Sequence, residues 1–195
     1  LLYFIEKHAP LLEPWQREVV RIVRKISQYF YPQRQTQVMN EGWACFWHYT
    51  LMNDLYDEGL VTDGFMLEFL QYHTGVIAQP GFDSPYYSGI NPYALGFAMY
   101  RDIRRICEEP TEEDRLWFPE IAGSDWLATL KFAMQSFEDA SFILHYLSPK
   151  VIRDFKLFSI LDDDRRDDLL VPAIHDEHGY RSIRELLAAQ YNLGN

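Results

Sequence analysis

The sequence predicts a mainly α-helical protein: a multi-helix body over residues 1–156, followed by the start of a small α/β part over residues 157–195. Three observations carry this reading. Apolar residues recur at helical spacing behind residues that cap helices well. Pro14, Pro92 and Pro149 stand where such runs begin, the first-turn position that proline tolerates. After residue 156 the pattern changes to two short apolar runs, Leu157–Leu161 and Leu169–Ile174, separated by the charged stretch Asp162–Asp168. That arrangement reads as a β-hairpin or two strands with an exposed turn.

The elements follow in order. Leu1-Leu2-Tyr3-Phe4 reads as the middle of a helix, without an initiator Met, as in an excerpt from a longer protein. From Pro14 a helix carries Val19, Val20, Ile22, Val23, Ile26 and Phe30, until Tyr31-Pro32 is expected to stop it. A second long helix is predicted from Thr36 to Tyr56, ending at Gly59. Thr62 or Asp63 caps a further helix running to about Ile77. Residues 78–92 hold Pro80, Gly81, Pro85 and Gly89 and form a long loop with Phe82, Tyr86 and Tyr87. Loops of that length inside compact domains are often functional. Asn91 suits the cap of the helix Pro92–Cys107, and Thr111 with Asp114 forms a capping box with Asp in place of Glu. Ser124–Ser136, Glu138–Leu147, Pro149–Phe155 and Ser182–Gln190 complete the helices.

Composition bounds the function. The formal net charge of −11 argues against a phosphate-backbone binder, so no nucleic-acid partner is expected. Cys45 and Cys107 lie far apart and in no CxxC pair, which points to a reducing compartment rather than a disulfide framework. No apolar run reaches membrane-spanning length, and a cytoplasmic protein is the expectation. The 13 Tyr, 13 Phe and 5 Trp imply either an aromatic core or an aromatic-lined cleft.

The most distinctive segment is Thr36–His48, which places Asn40, Glu41, Trp43, Trp47 and His48 on one helix. Carboxylate and imidazole are the usual acid–base and metal-ligating groups, so Glu41 is the leading catalytic candidate and Glu41 with His48 the candidate metal ligands. Their i,i+7 spacing puts them on one face but about 10.5 Å apart along the axis, too far to share an ion from an unbroken helix. The alternative makes both buried polar groups satisfied by neighbouring helices. Glu68 and His73 are further candidates, each read first as structural; i,i+5 spacing separates them by about 140° around the axis. Glu68 is expected to face the helix of Glu41, and His73 the long loop. Glu138, Asp139 and His145 read first as a solvated face rather than a catalytic set, with Asp139 the best candidate of the three. The run His175-Asp-Glu-His178 reads as an exposed turn before Gly179. Asn40, Trp43, Asn91 and Tyr93 complete the candidate binding residues. No GxGxxG, Walker or GxSxG pattern is present.

The string Met39-Asn-Glu-Gly-Trp-Ala44 with Trp47-His48 resembles the hallmark of the stage V sporulation protein R (SpoVR) family. Tyr29-Phe30, Pro32-Gln33, Ile90-Asn-Pro-Tyr-Ala-Leu-Gly96, Ser141-Phe142, Tyr146-Leu147 and Leu157-Phe158 fit the same pattern in order, closest to enteric-type members. The resemblance implies a link to spore-cortex formation, or to stationary-phase and stress physiology where no spore is made. It also implies an upstream His-x-x-x-His stretch. With Glu41 that stretch suggests a metal-dependent hydrolase using a divalent transition metal such as zinc. The competing expectation is a non-catalytic interaction protein that presents the aromatic loop 82–93 to an unidentified protein partner. With Asn91 and Pro92 starting their helix, the loop before them is expected to pack over the helix carrying Glu41 and close a shared cleft.

Overall fold

A computed structural model describes residues 1–157 and 176–192. These residues form two compact units, Leu1–Thr36 and Gln37–Asn195.

In the first unit, α1 (Leu2–His8) packs against α2 (Pro14–Arg34). Glu13 and Gln16 form a reciprocal capping box around Pro14 at the first helical position. The Arg17 guanidinium donates to the carbonyls of Glu6 (2.8 Å) and Ala9 (2.5 Å), two acceptors left free at the end of α1. Arg24 adds an ion pair to Glu6 at 2.8 Å. The predicted stop at Pro32 is corrected: α2 continues to Arg34. In the last turn proline forfeits one backbone hydrogen bond, and too little helix follows for a kink to propagate.

The second unit contains α3 (Gln37–Asp57), α4 (Asp63–Val76), α5 (Pro92–Glu108), α6 (Glu112–Trp117), α7 (Trp126–Ser136), α8 (Asp139–Tyr146), α9 (Pro149–Asp154) and α10 (Glu177–Tyr191). Helix α5 is its axis, packed against α3, α7 and α9. Leu95, Met99, Tyr100 and Ile103 of α5 are fully buried, meeting Val38, Met39 and Phe46 of α3 and Phe142 and Tyr146 of α8 in one core. Much of the aromatic content is accounted for here: Tyr100 packs edge-on to Trp43 (5.6 Å) and tilted against Phe46 (6.2 Å) and Phe142 (5.1 Å). Such pairs add to the burial of large ring areas.

Caps set the helix starts as predicted. Thr62 accepts from Phe65 N–H, Asn91 from Tyr93 N–H, and Thr111 from Asp114 N–H, with Asp114 closing the capping box. Gly59 ends α3 in the left-handed region at φ 72°, where glycine has no Cβ penalty.

Every element among the described residues is a helix, so the structure is mainly α. The expected α/β part is not seen: residues 158–175, on which its strands were placed, lie outside the described residues. The closing helix begins earlier than predicted, at Glu177, because Asp176 caps it by accepting from Gly179 N–H at 2.7 Å. Glu177 and His178, expected in an exposed turn, therefore belong to its first turn. Helix α10 packs on α8 and α9. No described helix is long and apolar enough to cross a membrane.

Candidate functional site

The distinctive segment of α3 is seated by a close helix crossing. A Cβ placed on Gly96 would fall 2.7 Å from the Gly42 Cα and closer still to the Val38 carbonyl oxygen. One placed on Gly42 would stand 2.9 Å from the Gly96 carbonyl oxygen. Only hydrogen fits on both helices at this point, so α3 and α5 touch through their backbones. The crossing brings Glu41, one residue before Gly42, beside Tyr93, one turn before Gly96.

Glu41 is half-buried and carries the hydrogen bond with the Tyr93 hydroxyl that raises the phenol's pKa, aided by burial and the carboxylate's charge. Cys45, one turn further along α3, is buried; desolvation and the Glu41 charge both push its thiol up. A thiol so placed stays protonated and is a poor nucleophile or metal ligand. The group with chemistry to offer is the Glu41 carboxylate, with a phenol donor fixing its orientation.

Tyr93 is itself held by Asn91. The Asn91 side chain accepts from Tyr93 N–H (3.0 Å) and donates to the carbonyls of Val76 (2.8 Å) and Ala78 (3.0 Å). Its backbone N–H donates to Gln79 Oε1 at 2.7 Å. One side chain thus caps α5 and satisfies carbonyls at the end of α4, a local reason for asparagine at this position.

Asp139 is fully buried, and its two oxygens accept from Val38 N–H and Met39 N–H, each at 2.9 Å. It caps the start of α3 from α8. Burial pushes its pKa up, against the backbone N–H donors of Met39, Val38 and Gln37 that hold it down. Asp139 thereby fixes the turn that carries Glu41.

The remaining candidates fall elsewhere. Trp43 is half-buried, edge-on to Trp47 and Tyr100 at 5.6 Å. Asn40 and Glu68 are exposed. His48 is exposed and lies edge-on to Phe69 at 4.8 Å, with His73 at 6.3 Å, two turns from Glu41 along α3. His73 faces α3 and α5 rather than the loop, its ring against Tyr49 (5.4 Å) and Phe97 (5.0 Å). Its Nε2 is buried without a partner; burial, then His48 and Arg101, hold its pKa below the ordinary imidazole value. Sequence reasoning assigned His48 and His73 to separate surroundings, and the structure makes them neighbours.

Of the loop, Phe82, Tyr87 and Ile90 line a groove of about 180 Å³ with Ile183 and Leu187 of α10. The described residues alone do not fit a metal: no three His, Cys, Asp or Glu side chains among them gather around one point.

Sequence reasoning missed two further groups, Asp102 and Arg184, both buried and each with one polar atom lacking a partner. The signal was available only as charged residues on the apolar faces of α5 and α10.

Fold and site together define a helical protein in which a half-buried carboxylate and a phenol meet at a glycine-seated crossing. The chain belongs to the SpoVR family: the family model described as SpoVR like protein matches residues 1–195. It is 70% identical over 195 residues to YcgB of Escherichia coli (strain K12), which is described as uncharacterized. That similarity covers the whole of this chain and 38% of YcgB, so the chain spans well under half the length of this relative. No solved structure matches.

Proposed function

We propose that this chain contributes a carboxylate-centred, hydrolase-like site to a SpoVR-type protein acting in spore-cortex or stationary-phase and stress physiology. The observation that carries the proposal is the Glu41–Tyr93 pair at the Gly42–Gly96 crossing. A half-buried carboxylate held by one phenol on a rigid seat has a lone pair left to take a proton from water. As that water attacks an acyl carbon, Glu41 accepts the proton and afterwards passes it to the leaving group. Tyr93 is the orienting donor, and Asn91 and Asp139 position the two helices. The remaining groups of the site come from beyond these 195 residues, as the share of YcgB that the chain spans allows.

A second reading is favoured by the loop. Phe82 and Tyr86 are exposed large aromatics on a segment anchored at Asn91, the pattern of a surface that receives a protein partner without catalysis. Replacing Glu41 by Gln in the complete gene product and testing rescue of a deletion strain separates the readings. Loss of rescue by a normally folded variant supports the site. Normal rescue, together with loss of rescue on Phe82→Ser with Tyr86→Ser, supports the interaction surface.

A further inference from the structure

Helix α10 places Arg184 against α6, only 8% exposed to solvent and without a carboxylate partner among the described residues. The guanidinium lies over the rings of Trp117 (4.7 Å) and Phe118 (5.3 Å), and its Nε donates to the Leu147 carbonyl at 2.5 Å. Its Nη2 is buried with no partner. Buried arginines are ordinarily paired, because an uncompensated charge in a low-dielectric site is costly. Burial, then the neighbouring Arg181, pull the Arg184 pKa down to about 10, the mark of a cation lacking a counter-charge.

Arg184 borders a cleft of about 480 Å³ between α6 and α10, a volume within the range of small-molecule sites. Three of the other charged residues at the cleft, Glu113, Glu177 and Arg181, are already paired. Glu113 takes a bidentate ion pair from Arg153 (2.9 and 2.6 Å), and Glu177 pairs with Arg181 at 2.6 Å. The Tyr180 oxygen accepts from Arg153 at 2.8 Å, which leaves its own proton to donate. A guanidinium and a phenol O–H therefore remain as donors, over walls supplied by Trp117 and Leu116.

The carboxylates of Glu112, Glu113 and Glu177 around the cleft oppose a dianion such as phosphate more strongly than a monoanion. Planar carboxylate matches the guanidinium fork. We propose that the α6–α10 cleft binds a singly charged carboxylate on Arg184 and Tyr180, either free or carried by an Asp or Glu from the part of the gene product beyond these 195 residues. This proposal does not depend on the Glu41 reading.

The test uses the complete gene product with benzoate as probe, followed by calorimetric titration. Saturable binding that weakens about tenfold or more in Arg184→Gln supports a free carboxylate, since one charge-assisted pair is at stake. Leu116 is 79% exposed at the cleft, so Leu116→Trp narrows the mouth without touching the core. It is expected to block benzoate even if Arg184→Gln fails to fold. The second arm uses Arg184→Lys and applies a carbodiimide, which joins an amine to a carboxylate in direct contact. A crosslink from the amine introduced by Arg184→Lys to an acidic residue beyond the 195 supports the internal source. If benzoate fails to bind in a manner blocked by Leu116→Trp, and crosslinks reach only Glu112 or Glu113 or nothing, the proposal is overturned.

Discussion

Gly42 of α3 and Gly96 of α5 meet backbone to backbone, with no space for a Cβ on either. Their contact fixes how closely the two helices approach, and so how Glu41 and Tyr93 face one another. Gly96→Ala is expected to destabilise the protein by about 3 kcal/mol or more, because the neighbours are main-chain atoms that cannot turn aside. Gly75→Ala in α4, where a Cβ meets nothing within 4 Å, is the control. It should be neutral or stabilising by up to about 1 kcal/mol. Chemical denaturation of the two variants checks the contrast.

Asn91 joins the end of α4 to the start of α5 through four hydrogen bonds. Its backbone bond survives substitution, but Asn91→Ala deletes the three made by the side chain. A cost of about 1–2 kcal/mol is expected, with the cap as the largest part. Limited proteolysis should show faster cutting within residues 78–92, since the loop loses its anchor.

The cap residues were legible because cap chemistry is local: Thr62, Asn91 and the Thr111–Asp114 box each act within three residues. The seat of Glu41 was not. Asp139 lies 100 residues from Met39 in sequence, and nothing near it says that its carboxylate caps another helix. Nothing around Gly42 in the sequence says that the backbone of α5 fills the space beside it. His48 and His73 were assigned faces from helical spacing alone, which gives direction around one axis but not the neighbour that occupies it. Pro32 was read as a stop because its cost was judged for a helix interior, not for a last turn.

Asp114 offers a pH-dependent measure of the fold. Burial alone would raise its carboxyl, but hydrogen bonds from Arg105 and Thr111 outweigh that and bring it down to about 2, below the ordinary 3.8. Arg105 donates through both Nη atoms, at 2.6 and 2.8 Å, and a third bond reaches Asp102 at 2.7 Å. Because the folded value lies below the unfolded one, the unfolded chain takes up the proton first. The stabilisation is present above about pH 4 and is lost as pH falls toward about 2, amounting to about 2 kcal/mol. Asp114→Asn should reduce this acid dependence while lowering stability at neutral pH. Urea melts at about pH 7, 4 and 3 on both proteins read it out.

Asp139 tests how the seat of Glu41 is built. Asp139→Ala removes two acceptors from the buried N–H groups of Val38 and Met39. Leaving such donors unsatisfied costs roughly 1–3 kcal/mol. Asp139→Asn retains one acceptor oxygen and should lose less than Asp139→Ala. Amide hydrogen exchange at Val38 and Met39 should speed up in both variants, more in Asp139→Ala, whereas exchange in the middle of α5 should change only with global stability.

The decisive variant is Glu41→Gln. Its carboxylate is half-buried and held by the Tyr93 phenol, so the amide fits the same space and keeps an oxygen for that hydroxyl. If Glu41 serves as a base, folding should stay intact, with melting temperature within a few degrees of the parent, while cellular function is lost. If Glu41 only stabilises the crossing, function should persist while stability falls by roughly 1–3 kcal/mol, the cost of disturbing a buried polar group. Tyr93→Phe separates position from chemistry. It removes the orienting donor but leaves the carboxylate, so a catalytic Glu41 predicts partial activity and a pH profile displaced from the parent's. Measuring melting temperature and complementation on the same preparations keeps the two effects apart. Full complementation by Glu41→Gln would exclude the proposed site, whatever its stability.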